Sequence, residues 1–344
     1  MRLRFSLTAA ASILVAAALS AQSPYSAPRT AWGHPDLQGN WNAATLTPLE
    51  RPDNAQGKLS LTKDEAAAIE RTERARVEAR ARPSDPNRAA PTVGGAVGGY
   101  NNFWIDRGTS AFVVDGQHRT SIIVDPANGK IPPMKPEAQK RNAGRRGTVV
   151  LPTSDAPESA GVEGPGAFDD PELRPLGERC LLGFGSTSGP PTLPNYFYNN
   201  YKQIVQTPDY VAILVEMVHD VRIIRLNQAH APANIRKWMG DSVGHWEGNT
   251  LVVETTNFSS KTRFRGSSEN LKVTERFTRV DPKTILYKFT VEDPATWAKP
   301  WTGEYPWVAT NDQIFEYACH EGNHALGDIL RGARLLEKEG IPNR

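Results

Sequence analysis

Residues 271–292, which read LKVTERFTRVDPKTILYKFTVE, decide the fold class of this chain. Apolar residues recur at nearly every second position on both sides of Asp281-Pro282-Lys283. Alternation with a period of two is typical of a strand with one buried face, and Pro beside Asp is typical of a turn. The segment therefore predicts an antiparallel hairpin made of Leu271–Val280 and Thr284–Glu292.

The same pattern continues upstream of this hairpin. Short apolar runs separated by turn residues predict further strands at Lys202–Thr207, Tyr210–His219, Val221–Leu226 and Thr250–Asn257. Successive short strands joined by turns favour an antiparallel barrel or a curved sandwich. The sequence therefore predicts a mainly β fold.

Helical signals flank this β-rich region. Thr62 followed by Glu65 has the pattern of a capping box, which predicts a helix that begins just after Thr62. Apolar residues at helical spacing predict a second helix over Asn323–Glu339. We therefore expect an irregular segment with one helix and a linker at 22–99. A barrel-like domain with a C-terminal helix is expected at 100–340.

The first 21 residues have the pattern of a secretory signal peptide. Arg2 and Arg4 precede an apolar run at Leu7–Leu19, and small residues follow near Ser20. The apolar run is too short to span a bilayer as a helix, and no longer run follows it. We therefore expect a periplasmic or secreted protein without a membrane span.

Charge and cysteine content limit the partners and the covalent structure. The formal net charge is +2, and this small basic excess argues against nucleic acid as a partner. The two cysteines are Cys180 and Cys319. An even number in an oxidising compartment favours a disulfide, and the alternative is two buried free thiols.

Two glutamates fall on apolar strand faces if the predicted strands alternate regularly. Glu275 shares a face with Val273 and Phe277, and Glu216 shares one with Leu214. A buried carboxylate is costly unless it is paired, so these positions imply cationic partners or a polar pocket suited to acid/base chemistry. A register error of one residue would instead turn both side chains to the surface, where they would form ion pairs.

The segment His320-Glu321-Gly322-Asn323-His324 matches the H-E-x-x-H pattern. On a helix, both histidines face the same way and can bind zinc, while the glutamate polarises a water molecule. Glycine disfavours a helix, however, and Asn323 is a typical N-cap, which would leave His320 outside the helix. The alternatives are therefore a zinc site with His320 and His324, or a site without metal that uses His320 and Glu321. Apart from zinc, no cofactor is evident.

Other residues are candidates for contact with a ligand. Trp246 and Trp301 lie within or beside strands and turns, where indole rings can line the mouth of a barrel. Arg276 and Asp241 are the candidate polar contacts. His219 ends a predicted strand beside an aspartate, and such a pair acts as a general base or simply forms a turn.

Five stretches have specific motifs: 35–41 (PDLQGNW), 238–255 (WMGDSVGHWEGNTLVVET), 271–277 (LKVTERF), 293–301 (DPATWAKPW) and 317–323 (YACHEGN). They resemble segments of a large, uncharacterised family of exported bacterial proteins. This resemblance implies export and a β-rich fold, and it implies no reaction. A more distant likeness is to lipocalin-type barrels, and it concerns architecture only.

These patterns lead to three hypotheses about function. In the first, the barrel binds a small apolar or aromatic molecule and acts on it as a lyase, isomerase or hydratase. Glu275 and Glu216 would then be the acid and base, assisted by His219 and His320. The second is a zinc-dependent hydrolase, and the third is a non-catalytic envelope binding or structural protein. The oligomeric state is not predicted.

Overall fold

A computed structural model describes residues 25–55, 57–83, 87, 89, 105–143, 171–183, 188–194, 198–262 and 264–340. The predicted signal peptide and most of the predicted linker lie outside these ranges. The strands are β1 (Gly39–Asn42), β2 (Ser60–Leu61), β3 (Val113–Val114), β4 (Gln117–Arg119), β5 (Ile123–Asp125), β6 (Tyr201–Gln206), β7 (Tyr210–Val215), β8 (Asp220–Leu226), β9 (Asp241–Glu247), β10 (Thr250–Thr256), β11 (Lys272–Asp281), β12 (Thr284–Glu292) and β13 (Trp301–Ala309). The α-helices are α1 (Lys63–Arg80), α2 (Pro136–Ala143) and α3 (His324–Lys338).

Nine strands close into a barrel. Their order is β1-β6-β7-β8-β9-β10-β11-β12-β13, and β13 pairs back with β1. β5 pairs with the first residues of β13, on the edge whose last residues pair with β1. β2, β4 and β3 form a small separate sheet. The mainly β barrel with a C-terminal helix is therefore confirmed.

The pairing of β8 with β9 is parallel, whereas the other barrel pairs are antiparallel. A parallel pair needs a crossover connection, and residues 227–240 provide it. This connection ends at Gly240, whose φ is +71° and whose added Cβ would lie 2.6 Å from the Thr256 carbonyl oxygen. A glycine is required there because both the backbone conformation and the space exclude a side chain.

The hairpin that decided the fold class is present as predicted. β11 and β12 pair antiparallel, with Val273 opposite Val291 and Phe277 opposite Tyr287. All four side chains are buried inside the barrel. Local alternation therefore located both strands and their inner faces correctly.

The predicted strand Tyr210–His219 is too long. β7 ends at Val215, and a 3-10 turn occupies Met217–His219 before β8 begins at Asp220. Val218 in this turn has φ +72°, which breaks the extended backbone. The strand ends early because the chain must reverse at the end of the barrel, and apolar residues on both of its faces hide that end from pattern analysis.

The N-terminal segment contributes more order than the sequence indicates. Its strand β1 closes the barrel, and Thr62 caps α1 with Glu65 as the reciprocal partner, as predicted. The polar stretch 130–170, rich in proline, glycine and charge, is typical of a surface loop, but α2 lies within it; residues 144–170 are outside the described ranges. α3 begins after Asn323, whose side chain accepts a hydrogen bond from the Leu326 amide.

Aromatic rings fill the barrel from β11, β12 and β13. The fully buried rings of Phe277, Tyr287, Phe289 and Trp307 have neighbouring centroids 4.9 to 5.6 Å apart. Gly303 leaves the space that the Phe289 ring occupies, since an added Cβ would overlap that ring. The part of the interior that β11, β12 and β13 line is therefore packed as a core.

Other segments cover the two ends of the barrel. At one end, Gln206 accepts a hydrogen bond from the Leu37 amide at 2.6 Å and donates one to the Pro35 carbonyl at 3.2 Å. At the other end, residues 188–194 lie beside the Met217–His219 turn, where Ser188 donates to the Met217 carbonyl. Both covers bury backbone polar groups that side chains satisfy.

A disulfide joins Cys180 to Cys319, as predicted, with their Cα atoms 5.8 Å apart. It ties the described segment 171–183 to the segment that precedes α3. Asn323 adds a hydrogen bond from its side-chain amide to the Glu178 carbonyl at 2.7 Å. Within the described ranges, no helix has the length and apolar character that a bilayer-crossing segment needs.

Candidate functional site

Glu275 lies inside the barrel, on the face that alternation predicts. Its two carboxylate oxygens accept hydrogen bonds from Arg222 at 2.7 and 3.1 Å, and one of them also accepts from the Tyr287 hydroxyl at 2.7 Å. Burial, together with the negative charge of Glu275, raises the pKa of Tyr287 well above 10. Tyr287 therefore stays protonated and donates to a carboxylate that Arg222 already holds in two places.

The same polar network anchors the segment that enters the barrel. The Thr192 amide donates to the Tyr287 hydroxyl at 2.9 Å, and the Thr192 carbonyl accepts from Tyr305 at 2.9 Å. Leu193 next to it is fully buried in the core. The network from Arg222 to Tyr305 thus fixes residues 188–194 in place, which is a structural use of Glu275.

Glu216 is buried, although for a different reason than the sequence indicates. It follows β7 and does not share the outer face of Leu214. Its carboxylate accepts hydrogen bonds from the Tyr201 amide at 3.2 Å and from the Phe315 amide at 2.9 Å. Glu216 therefore pins the C-terminal segment to the rim of the barrel. His219 lies in the adjacent 3-10 turn, and its side chain is outside what the structure describes.

Lys202 is the functional candidate that sequence reasoning missed. Its side chain is 0% exposed, and its Nζ has no hydrogen-bond partner in the described part of the chain. Burial lowers the pKa of Lys202 to about 7, although the charge of Glu216 opposes this shift. Lys202, Ile204 and Gln206 alternate and are all buried, so period-two alternation was the signal that could have found it.

The H-E-x-x-H segment does not form one helical face. α3 begins at His324, so His320 and Glu321 lie in the turn before it, and the helical spacing that the zinc hypothesis requires is absent. The alternative with Asn323 as N-cap is the one found. Across the described ranges, no group of three or more His, Cys, Asp or Glu side chains is arranged to hold a metal ion.

The predicted ligand contacts Trp301, Arg276 and Trp246 lie in the core, on the outer surface of the barrel and at the end of the barrel, respectively. Trp301 is fully buried in the core against other aromatic rings and does not lie at an open barrel mouth. Arg276 points outward from β11 and pairs with Glu247 at 2.5 Å, because it alternates with inward residues. Trp246 is half-buried at the end of the barrel and stacks on His34 at a centroid distance of 5.2 Å.

Asp241 is buried at the start of β9 and is fully engaged by its neighbours. Its carboxylate pairs with Arg225 at 2.7 Å and His230 at 3.1 Å, and also with Lys237 at 3.2 Å. The Ala231 amide donates to it at 2.9 Å. Burial raises the pKa of Asp241, but these donors together hold it below its usual value. Asp241 therefore secures the 227–240 crossover to the barrel rather than facing a free space.

A cavity of about 310 Å³ lies outside the barrel, between α1 and two neighbouring segments, 46–61 and 111–120. Its apolar walls include Leu46, Pro48, Leu61, Ala68, Ile69 and Ala111. Glu65, Ala68 and Ile69 line it from one face of α1, as residues three and four apart do. No local pattern predicts this cavity, because its walls come from α1 and from two segments that are distant from each other in the chain.

Three charged side chains also line this cavity. Lys58 and Glu65 form an ion pair at 2.7 Å. Arg119 lies 3.6 Å from Glu304 and 3.7 Å from Asp115, and its buried Nε has no hydrogen-bond partner within the described ranges. Among the lining side chains, Arg119 is therefore the cation without an acid partner in the lining, and Glu304 and Asp115 beside the cavity partly offset its charge.

Comparison with known protein families, curated proteins and solved structures finds no match for this chain. The resemblance of its motifs to an exported family stays a prediction.

Proposed function

We propose that this protein is an exported β-barrel protein that binds a small, mainly apolar molecule with a carboxylate group in the cavity beside α1. The cavity of about 310 Å³ is the observation that carries this proposal. Its volume is at the lower end of the range of about 300 to 1,000 Å³ that is common for small-molecule sites. A ligand smaller than a typical drug molecule suits such a volume.

The walls of the cavity favour an apolar ligand body. Leu46, Leu61 and Ile69 expose aliphatic carbon to it, and Ile69 and Leu61 are only partly covered by protein. Each buried methylene group of a ligand gains about 0.8 kcal/mol on leaving water. An alkyl or phenyl group placed here would cover this surface.

The charges favour an anionic group on that body. Lys58 is paired with Glu65, so the cation that remains in the lining is Arg119, whose contacts with Glu304 and Asp115 are long at 3.6 and 3.7 Å and whose Nε is a donor without an acceptor. A carboxylate matches a guanidinium in both charge and geometry. A neutral alcohol of the same length would satisfy the donor without balancing the charge.

Binding is proposed here rather than turnover. Both oxygens of Glu275 are engaged by Arg222 and Tyr287, and Glu216 is occupied by two backbone amides. A general base needs an accessible lone pair near its substrate, which these carboxylates do not offer in this arrangement. The predicted lyase, isomerase or hydratase activity stays a prediction.

Export is part of the proposal. The disulfide between Cys180 and Cys319 supports it, because such bonds persist mainly in oxidising compartments. The pattern of residues 1–21 gives the same indication. N-terminal sequencing of the protein from separated cell fractions tests it. A mature chain that begins near Gln22 outside the cytoplasm is expected, and a full-length cytoplasmic chain would refute export.

Calorimetric titration with octanoate, octanol and octylamine tests the ligand class. We expect octanoate to bind most tightly and octylamine least, because Arg119 is the cation without an acid partner in the lining. Arg119→Gln should weaken octanoate binding about tenfold, since a hydrogen bond to a charged group contributes about 1.5 kcal/mol or more. Arg331→Gln, on the exposed side of α3, is the matched control.

A second pair of variants tests the location. Ala68 is exposed at the cavity wall, so Ala68→Trp fills the space without disturbing the core and should weaken octanoate binding at least tenfold. Val77→Trp lies on the same helix away from the cavity and should leave binding unchanged. Equal octanoate affinities for the wild type and Ala68→Trp would refute the proposed site.

A further inference from the structure

The barrel interior holds a second candidate site, which shares no residue with the cavity beside α1. Lys202 projects from the inner face of β6, between Trp41 of β1 and Val215 of β7 in the strand register. Its amine is fully buried and lacks a hydrogen-bond partner among the described residues. An unpartnered amine in an apolar interior is costly, so its retention calls for a reason other than packing.

Other buried donors in the barrel also lack acceptors. The Nε1 atom of Trp307 and the Oγ1 of Thr192 have no hydrogen-bond partner within the part of the chain described. Trp41 of β1 pairs with Lys202 of β6 on one side and with Ala309 of β13 on the other. Trp307 is two residues before Ala309, so Trp307 and Lys202 belong to the two strands that flank β1. This interior has an excess of donors, and an occupant with an oxygen acceptor would satisfy it.

The charges around Lys202 indicate which acceptor fits. Glu216 is buried close enough to Lys202 to act on its charge, and Glu275 is buried with Arg222. A carboxylate ligand would add a further buried negative charge to a region whose cations are already matched. A carbonyl oxygen accepts a hydrogen bond without bringing a charge. An aldehyde or ketone therefore suits this site better than an acid does.

We propose that the Lys202 amine binds a small aldehyde or ketone covalently, as a Schiff base. The nitrogen lone pair forms a bond to the carbonyl carbon, and the carbon–oxygen bond breaks. The oxygen leaves as water with the two protons of the amine, and a carbon–nitrogen double bond replaces the carbonyl. Nothing is oxidised or reduced, and the reaction needs no other reactant.

Two features of the site support this reaction. Burial lowers the pKa of Lys202 to about 7, so the neutral and nucleophilic amine is well populated near neutrality. Lys202 is also the second residue of β6, so it lies close to one end of the barrel. At that end, the Phe315 amide donates a hydrogen bond to Glu216. The packed rings of the interior limit the ligand to a few carbon atoms.

Reductive trapping of the folded wild-type protein tests the proposal. Propionaldehyde with sodium cyanoborohydride at pH 7 converts a Schiff base into a stable propylamine, which peptide mass mapping locates. At pH 7, the neutral fraction of an amine with a pKa of about 7 exceeds that of a reference lysine on the order of a thousandfold. We therefore expect Lys202 to be labelled at least tenfold faster than Lys140, which is exposed on α2.

The opposite order of labelling would overturn the proposal. If Lys140 is labelled in the folded protein and Lys202 reacts only after unfolding in urea, Lys202 is a sealed structural group. The pH profile gives a second measurement that needs no variant. The labelling rate of Lys202 should level off above pH 7 to 8, and a tenfold rise per unit through pH 9 would contradict the proposal.

A matched pair of variants assigns the reaction to one residue. Lys202→Met keeps the length of the side chain and removes the amine, so the fast phase of labelling should disappear. Lys140→Met should retain it. A fast phase that persists in Lys202→Met would refute the assignment. Octanoate binding should be unchanged in Lys202→Met. The labelling of Lys202 and the octanoate titration of the cavity beside α1 can therefore fail independently.

Discussion

Replacement of Lys202 by methionine should change how the stability of this protein depends on pH. Methionine has a similar length and no titratable group, so it fills the same space without a charge. Burial lowers the pKa of Lys202 to about 7 in the folded protein, compared with the ordinary value of 10.5 for a lysine in water. Between these two values, the unfolded chain binds a proton that the folded chain does not. The free energy of unfolding of the wild type therefore rises with pH in this window.

The expected size of this effect follows from the pKa shift. A full proton difference changes the free energy of unfolding by about 1.4 kcal/mol per pH unit. The difference is about half a proton at pH 7 and close to one above pH 8, which gives a gain of about 3 kcal/mol from pH 7 to 9.5. Lys202→Met lacks this gain, and it should be several kcal/mol more stable than the wild type at pH 7.

Urea unfolding followed by tryptophan fluorescence measures both proteins at half-unit steps from pH 7 to 9.5. The difference between the two curves isolates Lys202, because the other groups are common to both. Burial and a hydrogen bond to Asp312 raise the pKa of Tyr201 to about 12, so this tyrosine stays protonated throughout. Lys140→Met is the control and should follow the wild type. Parallel curves for the wild type and Lys202→Met would show that the folded Lys202 keeps an ordinary proton affinity.

Three further perturbations test the barrel and its covalent link. The double variant Cys180→Ser/Cys319→Ser opens a loop of 139 residues, and its free energy of unfolding should fall by about 5 kcal/mol. Reduction of the wild type should lower its Tm correspondingly, and equal Tm values for the oxidised and reduced protein would contradict this. Glu275→Gln leaves Arg222 buried without its anion, and the free energy of unfolding in urea should fall by about 3 to 5 kcal/mol. A fall below about 1 kcal/mol would mean that the ion pair does not stabilise the fold. Gly303→Ala forces a methyl group into a packed ring and should lose about 1 to 3 kcal/mol; an unchanged Tm would show that the interior can give way.

Features that depend on neighbouring residues were predictable from the sequence. The β11–β12 hairpin, the capping box of Thr62 and the N-cap Asn323 all follow from patterns a few residues long. Glu275 was also found inside the barrel, because Val273 and Phe277 fix the inner face of its strand. The signal in each case is contained within the element itself.

Features that depend on distant residues were not predictable in this way. β13 contains Gly303 and Pro306, which argue against a strand, yet Gly303 provides the space for a ring from the neighbouring strand. Lys202 was missed because its charge suggests exposure, and the burial of Glu216 comes from a C-terminal segment far along the chain. The cavity beside α1 likewise combines segments that show no common pattern.

Closure of the barrel by β1 has a consequence for the order of folding. β1 lies near the N-terminus, but it completes the ladder between β6 and β13, and β13 is the last strand of the barrel. Translation therefore delivers this closing strand first and its second partner last, which gives the fold a high contact order. Until residue 309 has emerged, the edge of β1 that β13 will cover remains open to pairing with other chains. Closure of this barrel consequently waits for its last strand, and dilution favours it because it limits pairing between incompletely folded copies.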